Sequence, residues 1–115
     1  MSMQVVLHYT HVTPQPIEVI NASKLSFNIG NCIKYLVRAE FKGSELQDLE
    51  KVLEYLFFEE KHYGVHKRYD IKALELVVDT NWTALKYYDL IIMILKGCHY
   101  GDVRALILKR MKDVR

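Results

Sequence analysis

The chain has few of the residues that interrupt helices and no long apolar run. Its 115 residues include only two prolines and five glycines, and the alternation typical of strands is weak outside residues 4–8. Helical periodicity dominates the rest. The longest apolar run, residues 90–95, is far too short to cross a bilayer. We therefore expect a helical protein without a membrane span.

Cysteine and net charge are also low. Cys32 and Cys98 lie far apart and lack the spacing of metal ligands, so we expect two reduced thiols in a cytosolic protein. The first nine residues contain no basic stretch followed by an apolar run, and no secretory signal is predicted. The net charge of +2 is nearly neutral, whereas general nucleic-acid binders are strongly basic. We expect a cytoplasmic location and no nucleic-acid partner.

The hydrophobic content, 50% of the chain, is enough to form one core in a domain of this length. We predict a single all-α domain over residues 1–115, a small bundle of about five helices. Its clearest element is an antiparallel helical hairpin near residues 26–61, in which Ser44 and Gln47 form a capping box at the start of the second helix. Further helices are predicted over residues 16–22, 71–78, 80–96 and 102–112.

Each hairpin helix has one apolar face that is predicted to point into the core. The inward residues are Ile29, Cys32, Ile33, Leu36, Val37, Leu46, Leu49, Val52, Leu53 and Leu56. Trp82 and Tyr87 are also predicted to lie in the core or in an interface. Residues 87–95 are apolar almost all round, so the same domain or a second subunit must cover them. We expect a homo-oligomer with residues 62–115 as its interface.

One face of the first hairpin helix is basic. Asn31, Lys34, Tyr35 and Arg38 follow i, i+3, i+4, i+7 spacing opposite the apolar face, and Lys42 lies just past the helix end. We call these five residues the basic strip. Like charges at this spacing repel by about a few tenths of a kcal/mol. Because a bound anion removes that penalty, and Lys and Arg bind phosphate well, the strip predicts a phosphate site.

The second hairpin helix adds Asp48, Lys51 and Tyr55 at i, i+3, i+7, beside its apolar face. Asp48 is expected to orient Lys34 or Arg38, or to accept a proton from a substrate. The same spacing also fits a solvated basic face with weak salt bridges across the hairpin. The spacing alone does not choose between these interpretations.

Other polar residues lie outside the hairpin. Glu18, in a short apolar helix, either points outward or pairs with a cation. His8 and Tyr9 precede that helix and offer a titratable group and a ring, although such a histidine is more often a surface or capping residue. His62 and His66 have the spacing of helical metal ligands, but the glycine between them weakens a helix and no third ligand is evident. No metal site is predicted.

The order of these residues resembles a known family. The chain reads His8–Tyr9, then PIEVI at residues 16–20, Phe27, GNCIKYLVRA at residues 30–39, Lys42, ELQDLEK at residues 45–51 and Tyr55–Leu56. Over about residues 8–60 this resembles a small tailed-phage domain described as of unknown function or as a nucleotide kinase. The type member phosphorylates deoxynucleoside monophosphates without a Walker motif. Our chain also has no Walker loop, glycine-rich dinucleotide motif or G-x-S-x-G elbow.

The resemblance implies a non-P-loop nucleotide kinase, or at least a nucleotide binder, that uses ATP or another nucleotide. If the chain is phage-encoded, it acts in the host cytoplasm. The positions that match the family are His8, Tyr9, Glu18, Asn31, Lys34, Tyr35, Arg38, Lys42, Asp48 and Lys51. Phosphoryl transfer depends chiefly on positioning and charge neutralisation, which these residue types supply.

In the expected mechanism, Lys34, Arg38 and Lys42 hold the phosphates. Asn31 and Tyr35 orient the sugar or a phosphate oxygen. Lys34 and Arg38 belong to the predicted catalytic set. Dependence on Mg²⁺ stays open, because three cations can take over part of the charge that a metal ion neutralises.

Two acids complete the predicted catalytic set, since Glu18 or Asp48 acts as a base or holds a cation. Tyr9 is expected to stack on the base. One departure from the family is Glu40, which stands where glycine is common. We expect Glu40 to lengthen the helix, alter the turn and place a negative charge near Lys42.

Two alternatives stay open. One is a non-catalytic phage effector that sequesters a nucleotide signal or blocks a host protein, which Glu40 and the unfamiliar residues 62–115 favour. The other is an all-helical nucleoside triphosphate pyrophosphohydrolase. That chemistry needs several carboxylates to hold Mg²⁺, and only Glu45 and Asp48 form an acidic pair.

Overall fold

A computed structural model describes residues 12–63 and 70–114. Its α-helices are α1 (Pro16–Ala22), α2 (Phe27–Arg38), α3 (Glu45–Tyr63), α4 (Ile71–Val77), α5 (Tyr88–Leu95) and α6 (Tyr100–Met111), with a 3₁₀ helix at Asn81–Ala84. No strand occurs in the described ranges, and the all-α prediction is confirmed, with six α-helices where about five were expected. His8, Tyr9 and His66 lie outside the described residues.

Residues with cap propensity set the helix boundaries. Pro16 occupies the first turn of α1, where its missing N–H is no loss. The Ser26 side chain caps α2 by accepting from the Ile29 N–H at 3.1 Å. The Asp70 carboxylate caps α4 by accepting from the Ala73 N–H at 2.9 Å. These three predicted starts are confirmed.

The predicted helical hairpin is confirmed as α2 and α3, which pack antiparallel and form the most extensive contact of the fold. The apolar face of α2 is wholly buried, from Ile29 to Val37. In the connecting turn Gly43 has a φ of 76°, a left-handed conformation that favours glycine. Two further helices pack against the hairpin: α6 contacts α3, and α5 contacts α2.

The predicted single helix over residues 80–96 is wrong. The chain forms the 3₁₀ helix, becomes extended at Leu85 and begins α5 at Tyr88. In one continuous helix Trp82 and Ile91 would lie about two and a half turns apart and point in opposite directions. Both are fully buried, and the Trp82 indole N–H donates to the Pro14 carbonyl at 2.6 Å. The break lets the two segments bury their apolar faces in one core.

Two expectations about burial have different outcomes. Leu46 is wrong as a core residue, because it lies 41% exposed in the first turn of α3. The apolar α5 is largely covered within the chain, by α2, α4, α6 and the 3₁₀ helix. Its Leu90, Ile91, Ile94 and Leu95 are buried. The predicted homo-oligomer is therefore not needed to cover α5 and stays a prediction.

No helix in the described ranges is long and apolar enough to span a membrane.

Candidate functional site

The candidate site is the outer surface along which α2 and α3 contact each other. Side chains from the two helices meet there in cross-helix pairs, and we call each pair a rung. We call this surface the hairpin face. Its residues are Phe27, Asn31, Lys34, Tyr35 and Arg38 from α2, and Asp48, Tyr55 and Phe58 from α3. Because the helices run antiparallel, the rung nearest the turn is charged and the rungs farther away are aromatic.

The charged rung joins Arg38 and Asp48. The Arg38 Nε donates to the Asp48 carboxylate at 3.1 Å. The Asp48 side chain is only 5% exposed, whereas that of Arg38 is 27% exposed. Since a guanidinium has five N–H donors and this bond uses the one on Nε, the terminal nitrogens stay available for a second acceptor. Asp48 thus holds the Arg38 side chain near the end of the hairpin where the connecting turn lies.

The aromatic rung stacks Tyr35 on Tyr55, with ring centroids 6.1 Å apart and planes inclined by 13°. Two cations flank the Tyr35 ring. The Lys34 Nζ lies 5.6 Å from its centroid and the Arg38 guanidinium carbon lies 5.4 Å from it. Such cation–π contacts hold positive charge near an aromatic surface. Tyr35 therefore organises two of the three cations of the strip, Lys34 and Arg38.

The remaining strip residues differ in how they are engaged. The Asn31 amide donates to the Phe27 carbonyl at 3.0 Å, within α2. Lys34 is half-buried and Lys42 is exposed. Among the described residues, no carboxylate lies within ion-pair distance of either lysine. Their charges are thus available to an external anion.

Two predicted site residues are not drawn into this cluster. Lys51 pairs with Glu54 at 3.9 Å, and both side chains are more than half exposed. Glu18 is exposed on α1, and no ion pair of the described residues includes it. Of the two outcomes expected for Glu18, the outward one is found.

The structure adds Phe27 and Phe58 to the face. Phe27 is 77% exposed, and its ring meets the Tyr55 ring edge to face at 6.0 Å. The Phe58 ring also meets the Tyr55 ring edge to face, with centroids 6.3 Å apart. The signal for Phe27 was its spacing, because Phe27, Asn31 and Lys34 follow i, i+4, i+7. An exposed phenylalanine is hard to foresee from sequence, since phenylalanine usually belongs to the core.

A second polar cluster links the hairpin turn to α5. The Glu45 carboxylate accepts from the Tyr87 hydroxyl and lies 2.6 Å from the Lys86 Nζ. Burial would raise the pKa of Glu45, but the bonds from Lys86 and Tyr87 outweigh it and hold that pKa below its usual value. Burial and the Glu45 carboxylate together raise the pKa of the Tyr87 hydroxyl.

Glu40 joins this second cluster instead of the basic strip. Its carboxylate accepts from the Lys86 backbone N–H at 2.7 Å. α2 ends at Arg38 with Ala39 as its C-cap, so Glu40 lies beyond the helix. The carboxylate is satisfied by a backbone donor across the bundle, which directs it to residue 86.

The acidic pair required for a pyrophosphohydrolase is divided between these two clusters. Glu45 is bound by Lys86 and Tyr87, whereas Asp48 is bound by Arg38. Each carboxylate already has a cationic partner. Within residues 12–63 and 70–114, no group of three or more His, Cys, Asp or Glu side chains could hold a metal ion.

A buried polar group lies behind the hairpin face. The Ser26 hydroxyl donates to the Glu59 carboxylate at 2.7 Å, and Glu59 is 3% exposed. Burial, reinforced by Glu59, raises the pKa of the Cys32 thiol, which therefore stays protonated. The same two causes raise the pKa of the Tyr100 hydroxyl, which has no hydrogen-bond partner in the described part of the chain. These groups are enclosed and do not reach the face.

A mainly apolar cavity lies elsewhere, between α4 and α5. It measures about 630 Å³, and its apolar lining includes Ile71, Leu74, Tyr88 and Ile92. No residue of the hairpin face lines it. Apart from the buried Asp48, the residues of the hairpin face are all exposed or half-buried, so the face is open to solvent.

Residues 6–57 match the model of DUF3310, a protein family of unknown function. The match covers slightly less than half of the chain and includes α1, α2 and two thirds of α3, with all of the hairpin face except Phe58. No curated protein and no solved structure matches the chain. The similarity to DUF3310 therefore coincides with the hairpin and does not extend to α4, α5 or α6.

Proposed function

We propose that this protein binds a nucleotide through its phosphates on the hairpin face. One observation carries the proposal: the chain holds Lys34 and Arg38 around a single aromatic ring, 5.6 Å and 5.4 Å from its centroid, and Asp48 is the one carboxylate of the described residues that pairs with either cation. Two cations so placed favour an anion with several oxygens. Lys42, exposed beyond the end of α2, extends the positive charge toward the turn.

The open form of the face favours binding over chemistry. Phosphoryl transfer relies on excluding water and on fixing two substrates in line. The hairpin face is a surface, and the buried Asp48 is already held by Arg38. A nucleotide-binding effector thus fits this geometry better than an enzyme does, and a host protein target remains part of that hypothesis.

Phosphoryl transfer to a deoxynucleoside monophosphate is the second candidate, and Glu18 favours it. Its carboxylate is exposed on α1, which packs against α2 where Gly30 lies beside Ile20. An unengaged carboxylate on a neighbouring helix is a suitable general base or Mg²⁺ ligand. In this version ATP is the phosphate donor.

Binding is tested by titrating the full chain with the ribo- and deoxyribonucleoside mono- and triphosphates. We expect Lys34→Ala to weaken the affinity about tenfold, equivalent to about 1.4 kcal/mol, as for one charge-assisted hydrogen bond. The matched control is Lys72→Ala, which replaces an exposed lysine on α4 and should leave the nucleotide affinity unchanged. No saturable binding by the wild-type chain, or equal loss in both variants, would contradict the proposal.

The kinase version has its own test, the formation of ADP from ATP with each deoxynucleoside monophosphate, with and without Mg²⁺. Turnover that is lost in Glu18→Gln, with nucleotide affinity retained, would support transfer. Tight binding without any product assigns the protein to the non-catalytic candidate. Release of pyrophosphate would instead indicate a pyrophosphohydrolase.

A further inference from the structure

We infer that the exposed ring of Phe27 is the platform on which the base of a bound nucleotide stacks, so that the site selects nucleoside di- and triphosphates over monophosphates. The inference rests on the proposed function, because it assigns an orientation to a nucleotide at the same face. It starts from the unusual position of Phe27, which is 77% exposed although a phenylalanine is normally buried.

The Phe27 ring is exposed but held in place. It meets Tyr55 at 6.0 Å with an interplanar angle of 76°. Tyr55 is itself fixed by stacking on Tyr35 and by an edge contact with Phe58. A ring supported in this way presents aromatic surface without losing much side-chain freedom when a ligand arrives. Such rings are the usual platforms for nucleobases.

The spacing along α2 matches the parts of a nucleotide. Phe27, Asn31, Lys34 and Arg38 occupy i, i+4, i+7 and i+11 on one side of the helix. With a rise of about 1.5 Å per residue, the successive steps are about 6, 4.5 and 6 Å. A nucleotide presents base, sugar and phosphate in the same order and at comparable steps. Asn31 then lies beside the sugar, which agrees with its expected role.

The orientation predicts selectivity for phosphate number. Lys34 lies about 10 Å along the helix from Phe27, within reach of the first phosphate, whereas Arg38 lies about 16 Å away. With the base on Phe27, the first phosphate meets Lys34, and further phosphates extend toward Arg38 and then Lys42 beyond it. A monophosphate therefore leaves most of the positive charge unused.

The mixture of rings and cations argues against an apolar partner at this face. Docking of an apolar protein surface on Phe27 would also bury Lys34, which has no carboxylate partner among the described residues. A ligand that is both aromatic and anionic satisfies both groups. A protein partner remains one outcome of the test, and it would be indicated if Phe27→Ala changed the affinity for no small ligand.

The test compares two kinds of probe on the full chain: adenosine and deoxythymidine mono-, di- and triphosphates, and inorganic tripolyphosphate, which has no base. We expect affinity to rise at least tenfold from mono- to triphosphate. Phe27→Ala should lower the affinity for the triphosphates of both nucleosides about tenfold and change the affinity for tripolyphosphate by less than twofold. Phe57→Ala is the matched control, because Phe57 is 55% exposed and its ring contacts Phe58 and Lys61 instead of Tyr55.

The outcomes separate the two proposals. If nucleotides bind and Lys34→Ala lowers their affinity, but Phe27→Ala binds them as the wild type does, the base platform is wrong and the proposed function stands. Equal affinity for mono- and triphosphates would overturn the orientation in the same way. Absence of binding by nucleotides and tripolyphosphate alike would overturn both. Circular dichroism and thermal melting of Phe27→Ala verify that the exposed substitution leaves the fold intact.

Discussion

Replacing Arg38 by alanine should destabilise the protein because it leaves a buried carboxylate without its partner. The Asp48 side chain is 5% exposed, and it pairs with the Arg38 Nε at 3.1 Å. Removing one member of a fully buried pair costs about 3–5 kcal/mol, whereas an exposed pair contributes about 0.2–1 kcal/mol. Arg38 is 27% exposed, so this pair lies between the limits. We expect Arg38→Ala to lower the free energy of unfolding by about 1.5–3 kcal/mol.

The assay is urea unfolding followed by far-ultraviolet circular dichroism, with a double-mutant cycle that adds Asp48→Ala. Lys51→Ala is the matched control on the same hairpin, because its 3.9 Å pair with Glu54 is largely solvated and should contribute less than about 0.5 kcal/mol. If Arg38→Ala is as mild as Lys51→Ala, or the cycle gives no coupling between Arg38 and Asp48, the reasoning about the charged rung is refuted.

Three further predictions concern the scaffold. Because the folded pKa of Glu45 is lowered, its contribution to stability should be complete well above its usual pKa of 4.5 and be lost as the pH falls through the lower folded pKa. Glu45→Gln should therefore lower the free energy of unfolding by about 1–2 kcal/mol in neutral urea melts and by nothing in acid. A cost that persists in acid would contradict this. Gly43→Ala should cost about 1 kcal/mol in thermal melts, since φ is 76° and no contact compensates, and an unchanged melting temperature would argue against that conformation. Ser26→Ala removes a helix cap and the donor to buried Glu59, so urea melts should show about 2–3 kcal/mol, whereas a loss near 1 kcal/mol would mean that only the cap matters.

Local signals in the sequence account for most of the fold. Pro16, Ser26, Ser44 and Asp70 each lie directly before or at the start of an observed helix, and the periodicity of α2 identified its buried face. These features depend on neighbours within one or two turns, which a single sequence displays. The hairpin followed because two amphipathic helices joined by a short turn pack antiparallel.

Features that depend on distant residues were not predictable. The break after the 3₁₀ helix exists because Trp82 reaches the Pro14 carbonyl, 68 residues away along the chain. Glu40 is directed to the Lys86 N–H, and Leu46 is 41% exposed although its spacing matches the apolar face of α3. No local pattern encodes these contacts, since each is set by tertiary packing.

The candidate site was predictable in part for the same reason. Spacing on α2 placed Lys34, Tyr35 and Arg38 on one face, and spacing on α3 placed Asp48 and Tyr55 beside it. The choice of Arg38 over Lys34 as the partner of Asp48, and the exposure of Phe27, depend on how the two helices rotate against each other. That rotation depends on packing between the helices, which includes the 3.6 Å contact of the Cys32 thiol with the Val52 carbonyl, and is not visible in either helix alone.

The most direct test of the central claim is to map nucleotide binding by nuclear magnetic resonance on the isotope-labelled chain of 115 residues. Titration with ATP should perturb the backbone amides of residues 27–42 and 48–58 and leave those lining the cavity between α4 and α5 unchanged. Perturbations centred on that cavity, or none at saturating ATP and other nucleoside triphosphates, would contradict the assignment of the hairpin face as a nucleotide site.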